Sequence, residues 1–396
     1  MQKNILIIGA GIAGCSLAHF LANSGWDVTL LEGEDNIAQG GSGNPVAAIY
    51  PKFMLNDEAY NDFMLKSFIF TTEWITRLGM NEVDYRFDGA IEILEKAYAQ
   101  KLEINLSKKI TGKEDFFSLI NKSILNKYSI ESNSSGLLFH QGGWVNPIAL
   151  CKQLINLSNI KIITHQKIKS IKKSIDEWTL KTEDQKTFNS SHVAICNASS
   201  VNQFDLTQHL HTDAFRGQVN WINSTSFQMP PIVTCGEGYL APLIQDKHVF
   251  GATYALNDFN EDLRISDTKK NIASIKGIHR TFYNYCEAQV SIAGRIAWRA
   301  STKDRKPYVG RVFDNQLFRK MRVRELARAD QLPWLKNLYI ASGFGSRGFT
   351  FAPYCTYVLA NLINDNLSQE DKKTLNYTNP ERYRLKKMSL KKVART

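Results

Sequence analysis

The first thirty-two residues alternate between two periodicities. Asn4-Ile-Leu-Ile-Ile8 is a continuous apolar, β-branched run of the kind that forms a strand buried on both faces. It runs into Gly9-Ala-Gly11-Ile-Ala-Gly14, after which Ile12, Leu17, Ala18 and Leu21 recur at helical spacing until Gly25, a suitable helix stop. A second strand is predicted over 28–31, ending in Glu32. Further along, Phe63, Phe68, Phe70, Trp74 and Leu78 predict a packed helix over 61–77, and the polar stretch 96–135 reads as a peripheral lobe of helices and loops. A turn at 140–147 opens a helix over 147–157. Strands are predicted over 160–163, 168–171 and 192–198. Between 218 and 255 the runs 219–222, 238–242 and 249–254, separated by polar turns, predict an antiparallel or mixed sheet in a second domain. The stretch 337–353 is a buried strand opening into a glycine turn and then a helix.

The opening strand–turn–helix–strand has a mechanical logic. Gly9 permits the tight turn, Gly11 lets backbone approach a pyrophosphate, and Gly14 lets helix and strand pack closely. The helix N-terminus presents free N–H groups and a positive dipole end to phosphates. Glu32 stands 18 residues after Gly14, where a carboxylate can accept from ribose hydroxyls. This is a dinucleotide site, and the motif alone does not separate NAD from FAD. The small residues of the loop 39–51 would admit a flat ring, or form a plain surface loop.

A chain of 396 residues is too long for one ordinary core and comfortable for two domains. With 43% hydrophobic and 22% charged residues, disorder and collagen-like structure are excluded. Six cysteines, scattered singly with no CxxC pair, give neither a zinc site nor a disulfide framework and suit a reducing cytosol. The eight histidines are dispersed without metal-ligand spacing, so no metal is expected. Nothing resembles a Gly-x-Ser-x-Gly elbow or a cysteine nucleophile. No run is apolar enough to span a membrane, and only Lys3 precedes the most apolar stretch, so a cytoplasmic protein is expected.

The charge of +11 is uneven. From 370 to 396 there are nine Lys/Arg against three Asp/Glu. A second cluster gathers Arg319, Lys320, Arg322, Arg324 and Arg328. One such cluster reads as a solvated helix face or frayed tail. Two in a basic chain point to a polyanion, and with only Leu385, Met388, Leu390 and Val393, and no Trp or Phe, among the bases of 382–395 nucleic acid is favoured over a membrane surface.

The N-terminal glycine motif, Gly238-Tyr-Leu-Ala-Pro242, Arg299-x-x-Thr-x-Asp304-x-x-Pro-x-x-Gly310 and the turn at 343–348 together resemble the D-amino-acid oxidase and glycine oxidase superfamily of FAD enzymes. Gly41-Ser-Gly-Asn44, Ile49-Tyr-Pro51, Arg216-Gly-Gln218 and Gly343-Phe-Gly-Ser-Arg-Gly348 look most like the oxidase domain of the MnmC family of tRNA-modifying enzymes. The resemblance implies an α/β fold in which a Rossmann-like FAD-binding domain (1–80, 140–205 and 296–365) joins a mixed or antiparallel-sheet substrate domain (81–139 and 206–295). A basic insert (311–328) and a basic tail (366–396) complete it.

The implied activity is FAD-dependent oxidation of the carboxymethylaminomethyl group on the tRNA wobble uridine, giving the 5-aminomethyl nucleoside and glyoxylate, with dioxygen as electron acceptor. The resemblance places FAD against Gly9, Ala10, Gly11, Ile12, Ala13, Gly14, Glu32, Gly33, Ser42, Gly43, Asn44, Ala48, Ile168, Ala198, Gly343, Phe344, Gly345, Ser346, Arg347 and Gly348. Arg347 would otherwise pair with phosphate. Arg299 matches the superfamily arginine that grips the substrate carboxylate, the alternative being an ion pair with Asp304. Tyr239 would sit at the substrate edge and Arg216 at a nucleotide or tRNA contact, against a core-packing tyrosine and a surface arginine. The bases of insert and tail would meet tRNA. MnmC enzymes carry a methyltransferase domain ahead of the oxidase, whereas this chain starts at the FAD strand. A stand-alone oxidase is therefore expected, with any methyltransferase step supplied by a separate protein or by residues outside this chain. Two other readings stay open: a small-substrate oxidase of glycine, sarcosine or D-amino acids, and a non-catalytic basic nucleic-acid-binding protein of the same fold.

Overall fold

The computed structural model describes residues 3–108, 115–223, 227, 229–321 and 332–393, with side chains to 387. The opening strand Asn4–Ile8 lies near the middle of a six-stranded sheet. In order across it run Tyr308–Phe313, Trp334–Ser342, His192–Ile195, Asn4–Ile8, Asp27–Leu31 and Ile160–Ile163. All are parallel except the edge strand Tyr308–Phe313. Alternation along Asn4–Ile8 explains why residues 5–8 are all apolar. Ile5 and Ile7 face the helices Ile12–Ala22 and Gly348–Ile363, packing with Leu17, Leu21 and Val358. Leu6 and Ile8 face the other way, onto Trp178, Leu180 and Phe204 beneath the small sheet of Ile168–Lys173, Trp178–Thr182 and Thr187–Ser190. A strand covered on both sides needs apolar residues at every position.

The second layer is a nine-stranded sheet. Its order is Ala255–Leu256, Asp213–Asn223, Lys247–Gly251, Tyr239–Ile244, Val233–Cys235, Ala90–Leu94, Ser135–Phe139 and Phe117–Ile120, and Ala293–Ser301 pairs with Asp213–Asn223 along its length. Only Val233–Cys235 beside Ala90–Leu94 is parallel. The helices Ile265–Ser274 and Arg280–Glu287 back it through Ile272, Ile275, Ile278 and Phe282, packed on Leu240 and Phe250. The expected division of the chain at 295/296 falls inside Ala293–Ser301, which belongs wholly to this sheet because its nine-residue pairing ties it to Asp213–Asn223. The polar stretch 96–135 also does more than cap the periphery, since Phe117–Ile120 forms the edge of the same sheet.

The C-terminal region packs on the body. The helix Gln369–Thr378 starts from a capping box of Ser368 and Asp371. Arg382 then opens the helix Arg382–Val393 by donating from Nε and Nη2 to the two carboxylate oxygens of Asp304 at 2.8 and 2.7 Å, with its guanidinium over the Tyr308 ring. The first base of the C-terminal helix is therefore held by the protein itself.

Candidate active site

A cavity of about 680 Å³ runs along the C-terminal ends of the parallel strands and under the nine-stranded sheet. Gly9 adopts φ +97°, which glycine alone takes up freely, and turns the chain from strand into helix. A β-carbon on Gly14 would stand 1.9 Å from the Gly9 carbonyl oxygen, so only glycine lets helix and turn close. The Ala10 N–H donates to Glu32 Oε2 at 2.6 Å and the Glu34 N–H to Oε1 at 3.0 Å, which fixes the acid at the end of Asp27–Leu31. The Ile12 N–H donates to Ser42 Oγ at 3.0 Å. Ser42 thereby occupies one lone pair at the helix N-terminus and keeps its O–H to donate outward.

A second helix N-terminus, that of Gly348–Ile363, opens into the same cavity through the turn 343–348. Arg347 lies in that turn and lines the cavity, but its guanidinium is engaged by Tyr50. Its guanidinium stacks over Tyr50 at 4.4 Å and donates to the Tyr50 hydroxyl at 3.1 Å. Arg295 secures the loop before Ala47–Ile49, donating to Asn44 Oδ1 at 3.0 Å and to the carbonyls of Gln39 and Gly40.

At the other end the nine-stranded sheet supplies Tyr239 and Arg299. Arg299 lies diagonally across from Gly217 in the register of Ala293–Ser301 and Asp213–Asn223. An added β-carbon at Gly217 would meet Arg299 Nη1 at 2.2 Å and Cζ at 2.6 Å, so the guanidinium rests on a strand made flat by the missing side chain. Nη1 donates to the Thr253 carbonyl at 3.1 Å, and the group lies 5.5 Å from the Tyr254 ring. Among the described residues no carboxylate pairs with it, and Asp304, the partner weighed from sequence, is taken by Arg382. Burial pulls the Arg299 pKa down from the ordinary arginine value, with Tyr239 and Tyr254 opposing. Burial also pushes the Tyr239 phenol up, against Arg299, so it stays protonated at neutral pH.

Most of the expected cofactor residues converge on this cavity: Gly9, Gly11, Ile12, Ala13, Glu32, Gly33, Ser42, Asn44, Ala48, Ile168, Ala198 and the turn 343–348 all line it. Ala10, Gly14 and Gly43 stand behind the wall, Gly43 closing against the Ala38 carbonyl and Arg295. Arg216 does not join them. It is fully buried, with Nη1 donating to Asp267 Oδ2 at 2.6 Å and Nε to the Asn260 carbonyl at 2.7 Å, and it cannot reach a nucleotide or tRNA. Of the expected RNA-facing bases, Arg319 and Lys320 are exposed, and Arg322, Arg324 and Arg328 lie outside the described residues. Gln166, Asn197, Thr253, Tyr254 and Gly217 escaped sequence reasoning. For Gly217 the signal was its place between Arg216 and Gln218, a glycine inside the strand Asp213–Asn223.

The cavity suits FAD. Three buried polar atoms of its lining, Gln166 Oε1, Asn197 Oδ1 and Thr350 Oγ1, have no hydrogen-bond partner among the described residues. Two helix N-termini and the Ser42 hydroxyl answer a pyrophosphate, Glu32 a ribose, and the small residues of the loop a flat ring. No set of three or more His, Cys, Asp or Glu placed to hold a metal occurs among the described residues. No helix among them is long and apolar enough to cross a membrane.

Residues 4–362 match the family described as FAD dependent oxidoreductase. The chain is 29% identical over 399 residues to the tRNA 5-methylaminomethyl-2-thiouridine biosynthesis bifunctional protein MnmC of Pseudomonas syringae pv. syringae, covering 97% of this chain and 59% of that protein. Its counterpart from Legionella pneumophila strain Philadelphia 1 is 30% identical over 400 residues, with 98% and 58% covered. The chain thus spans about three fifths of the length of these curated relatives. Among solved structures, glycine oxidase from Bacillus cereus superposes with a TM-score of 0.74 at 17% identity, over 93% of this chain and 96% of that one. Iminodiacetate oxidase from Chelativorans sp. BNC1 gives 0.71 at 16% identity, over 92% and 96%. These likenesses establish the glycine oxidase type of fold.

Proposed function

From the premise that the chain belongs to the FAD dependent oxidoreductase family, we propose that it oxidises the carboxymethylaminomethyl group of the tRNA wobble uridine to 5-aminomethyl(-2-thio)uridine and glyoxylate, with dioxygen as acceptor. One observation carries the chemistry: Arg299 presents a guanidinium, with no carboxylate partner among the described residues, to the cavity that suits FAD. The names of the MnmC relatives and the basic charge support tRNA as the carrier of the reacting group.

In this reading the strands around Asn4–Ile8 hold FAD, and the nine-stranded sheet, Ala293–Ser301 included, forms the substrate side. Gly9 to Gly14, Glu32, Ser42 and the turn 343–348 hold the dinucleotide. FAD, when bound, supplies a two-electron acceptor for a C–H beside nitrogen. The protein's part is orientation. The Arg299 fork takes the carboxylate with two parallel N–H donors, which fixes the adjacent methylene. The Tyr239 hydroxyl, kept protonated by burial, can donate to the same carboxylate but cannot act as a base. No histidine lines the cavity among the described residues, and none is needed if the amine enters neutral. Loss of a hydride from the methylene and a proton from nitrogen leaves an imine. Addition of water and cleavage of the C–N bond then give the primary amine and glyoxylate.

The test is nucleoside mass spectrometry of tRNA bearing the carboxymethylaminomethyl group, incubated in air with purified protein, with peroxide and glyoxylate assayed and glycine run in parallel. Loss of the carboxymethyl mass with glyoxylate release is expected. Unchanged tRNA with peroxide from glycine would make the protein a small-amine oxidase instead.

A further inference from the structure

The two basic stretches, some sixty residues apart in sequence, meet on one surface. The strand Tyr308–Phe313 at the edge of the parallel sheet leads into the short helix Asn315–Lys320. Against it packs the start of the C-terminal helix. Arg384 Nη1 donates to Asn315 Oδ1 at 2.8 Å, and its guanidinium lies 4.9 Å from the Phe318 ring. Between them and the segment around His209 is a depression of about 550 Å³ that shares no lining residue with the oxidase cavity.

Its charge is one-sided. Arg319 and Lys320 are exposed and have no carboxylate partner among the described residues. The carboxylate nearest Arg384, Glu381, is fully buried, 3.5 Å away, and also accepts from His209 Nε2 at 2.8 Å and the Phe313 N–H at 2.9 Å. His209 Nδ1 is buried in the wall with no hydrogen-bond partner among the described residues. Asp205 is the one acid of the lining, and it accepts from Gln208 at 2.8 Å. Lys386 and Lys387 continue the exposed basic face along the helix. A concave site with three cations and exposed lysines beside it matches a phosphodiester backbone, for which Arg and Lys are the usual partners. The anticodon nucleoside that enters the oxidase cavity belongs to a polymer long enough to reach a second site.

We infer that the depression bounded by His209, Arg319, Lys320 and Arg384 binds the sugar-phosphate backbone of tRNA away from the oxidised nucleoside, an inference that rests on the function proposed above. It is a docking site with no part in the chemistry.

The experiment compares the flavin-loaded full chain with R319E/K320E and with K169E/K172E, which makes the same charge change on exposed lysines of the small sheet. Binding of a full-length tRNA transcript is measured by fluorescence anisotropy over a salt series, and flavin content and melting temperature report folding. R319E/K320E should weaken binding roughly 10- to 100-fold near 0.1 M salt and reduce the slope of log K against log salt by about 2. K169E/K172E should change neither appreciably. Wild-type binding by R319E/K320E overturns the inference, as does an equal loss in both variants, which would mark a long-range field without a site. A chain that binds anionic lipid vesicles but no tRNA overturns it too. Failure of the functional reading shows separately, as unchanged nucleoside masses in wild-type protein.

Discussion

Gly217→Ala isolates the orientation step from everything else in the molecule. Gly217 is buried in the middle of Asp213–Asn223, and its absent β-carbon leaves the space in which the Arg299 guanidinium rests. A methyl there would stand 2.2 Å from Nη1, 2.6 Å from Cζ and 2.7 Å from Nη2. Ordinary contacts are about 3.4–4 Å, so the guanidinium must retreat by more than about 1 Å. The backbone can accept the change. Gly217 has no positive φ, and alanine in a strand interior favours the fold by about 0.5–1 kcal/mol relative to glycine. The guanidinium is the free end of a flexible side chain, so it moves instead of the strand. A charge-assisted bond at 2.7–2.9 Å does not survive such a shift. Losing one costs about 1.5–3 kcal/mol, or roughly 10- to 150-fold in carboxylate affinity.

The assay is titration of the flavin-loaded variant with acetate or a small N-substituted glycine, followed in the visible flavin spectrum, with thermal melting as control. The expected result is an undiminished melting temperature with weakened carboxylate binding and a raised KM. Unchanged carboxylate affinity in a folded, yellow Gly217→Ala protein would refute Arg299 as the clamp.

Three other perturbations separate structural from functional roles. Arg216→Ala strands the buried Asp267 carboxylate and should destabilise the protein by about 3–5 kcal/mol; unchanged melting with a raised KM would return Arg216 to the substrate site. Gly11→Val pushes a branched side chain past Ser42 Oγ, 3.1 Å from the position of its β-carbon, and should give folded, colourless protein; a full flavin complement would remove the pyrophosphate from this turn. Asp304 is burdened by burial, but the bonds from Arg382 outweigh that and hold its carboxyl down at about 2. Because the folded value lies below the unfolded one, the contribution is present above about pH 4 and is lost as pH falls toward about 2. Asp304→Asn should therefore lower stability at neutral pH by about 1–2 kcal/mol after allowance for partial exposure, with the gap closing in acid melts.

What sequence could supply depended on range. The strand, turn, helix and acid over 4–32 are neighbours, so period and glycine spacing place them, and the bond from the Ala10 N–H to Glu32 closes within that span. The fate of an arginine is decided by partners far along the chain. Asp267 lies 51 residues beyond Arg216, and Arg382 reaches back 78 residues to take Asp304. Neither is visible to local pattern. The role of Gly217 needed the register of two strands, since only their pairing sets residue 299 diagonally across from it. The tail read as a run of bases facing a polyanion because its charge is local, while the docking of Arg382 on Tyr308 and Asp304 is not.

Comparison of the arginines leads to one more consequence. Arg216 has Asp267, Arg382 has Asp304, Arg347 has Tyr50, and Arg295 has Asn44 and two loop carbonyls. Arg299, half-buried in the cavity, has the Thr253 carbonyl and aromatic surroundings but no described anion. Holding a cation there is unfavourable until a negative group arrives. The fold therefore gives up stability at this position, which a structural ion pair would not do. Arg299→Met should melt no lower than wild type, in contrast to Arg216→Ala. A carboxylate ligand at a hundred times its Kd should stabilise the wild-type protein by about 2.7 kcal/mol and leave Arg299→Met unmoved. Differential scanning calorimetry of the flavin-loaded proteins with and without ligand reads both. If Arg299→Met unfolds as early as Arg216→Ala, or gains as much from the carboxylate as wild type, Arg299 is part of the scaffold and the substrate's anchor lies elsewhere.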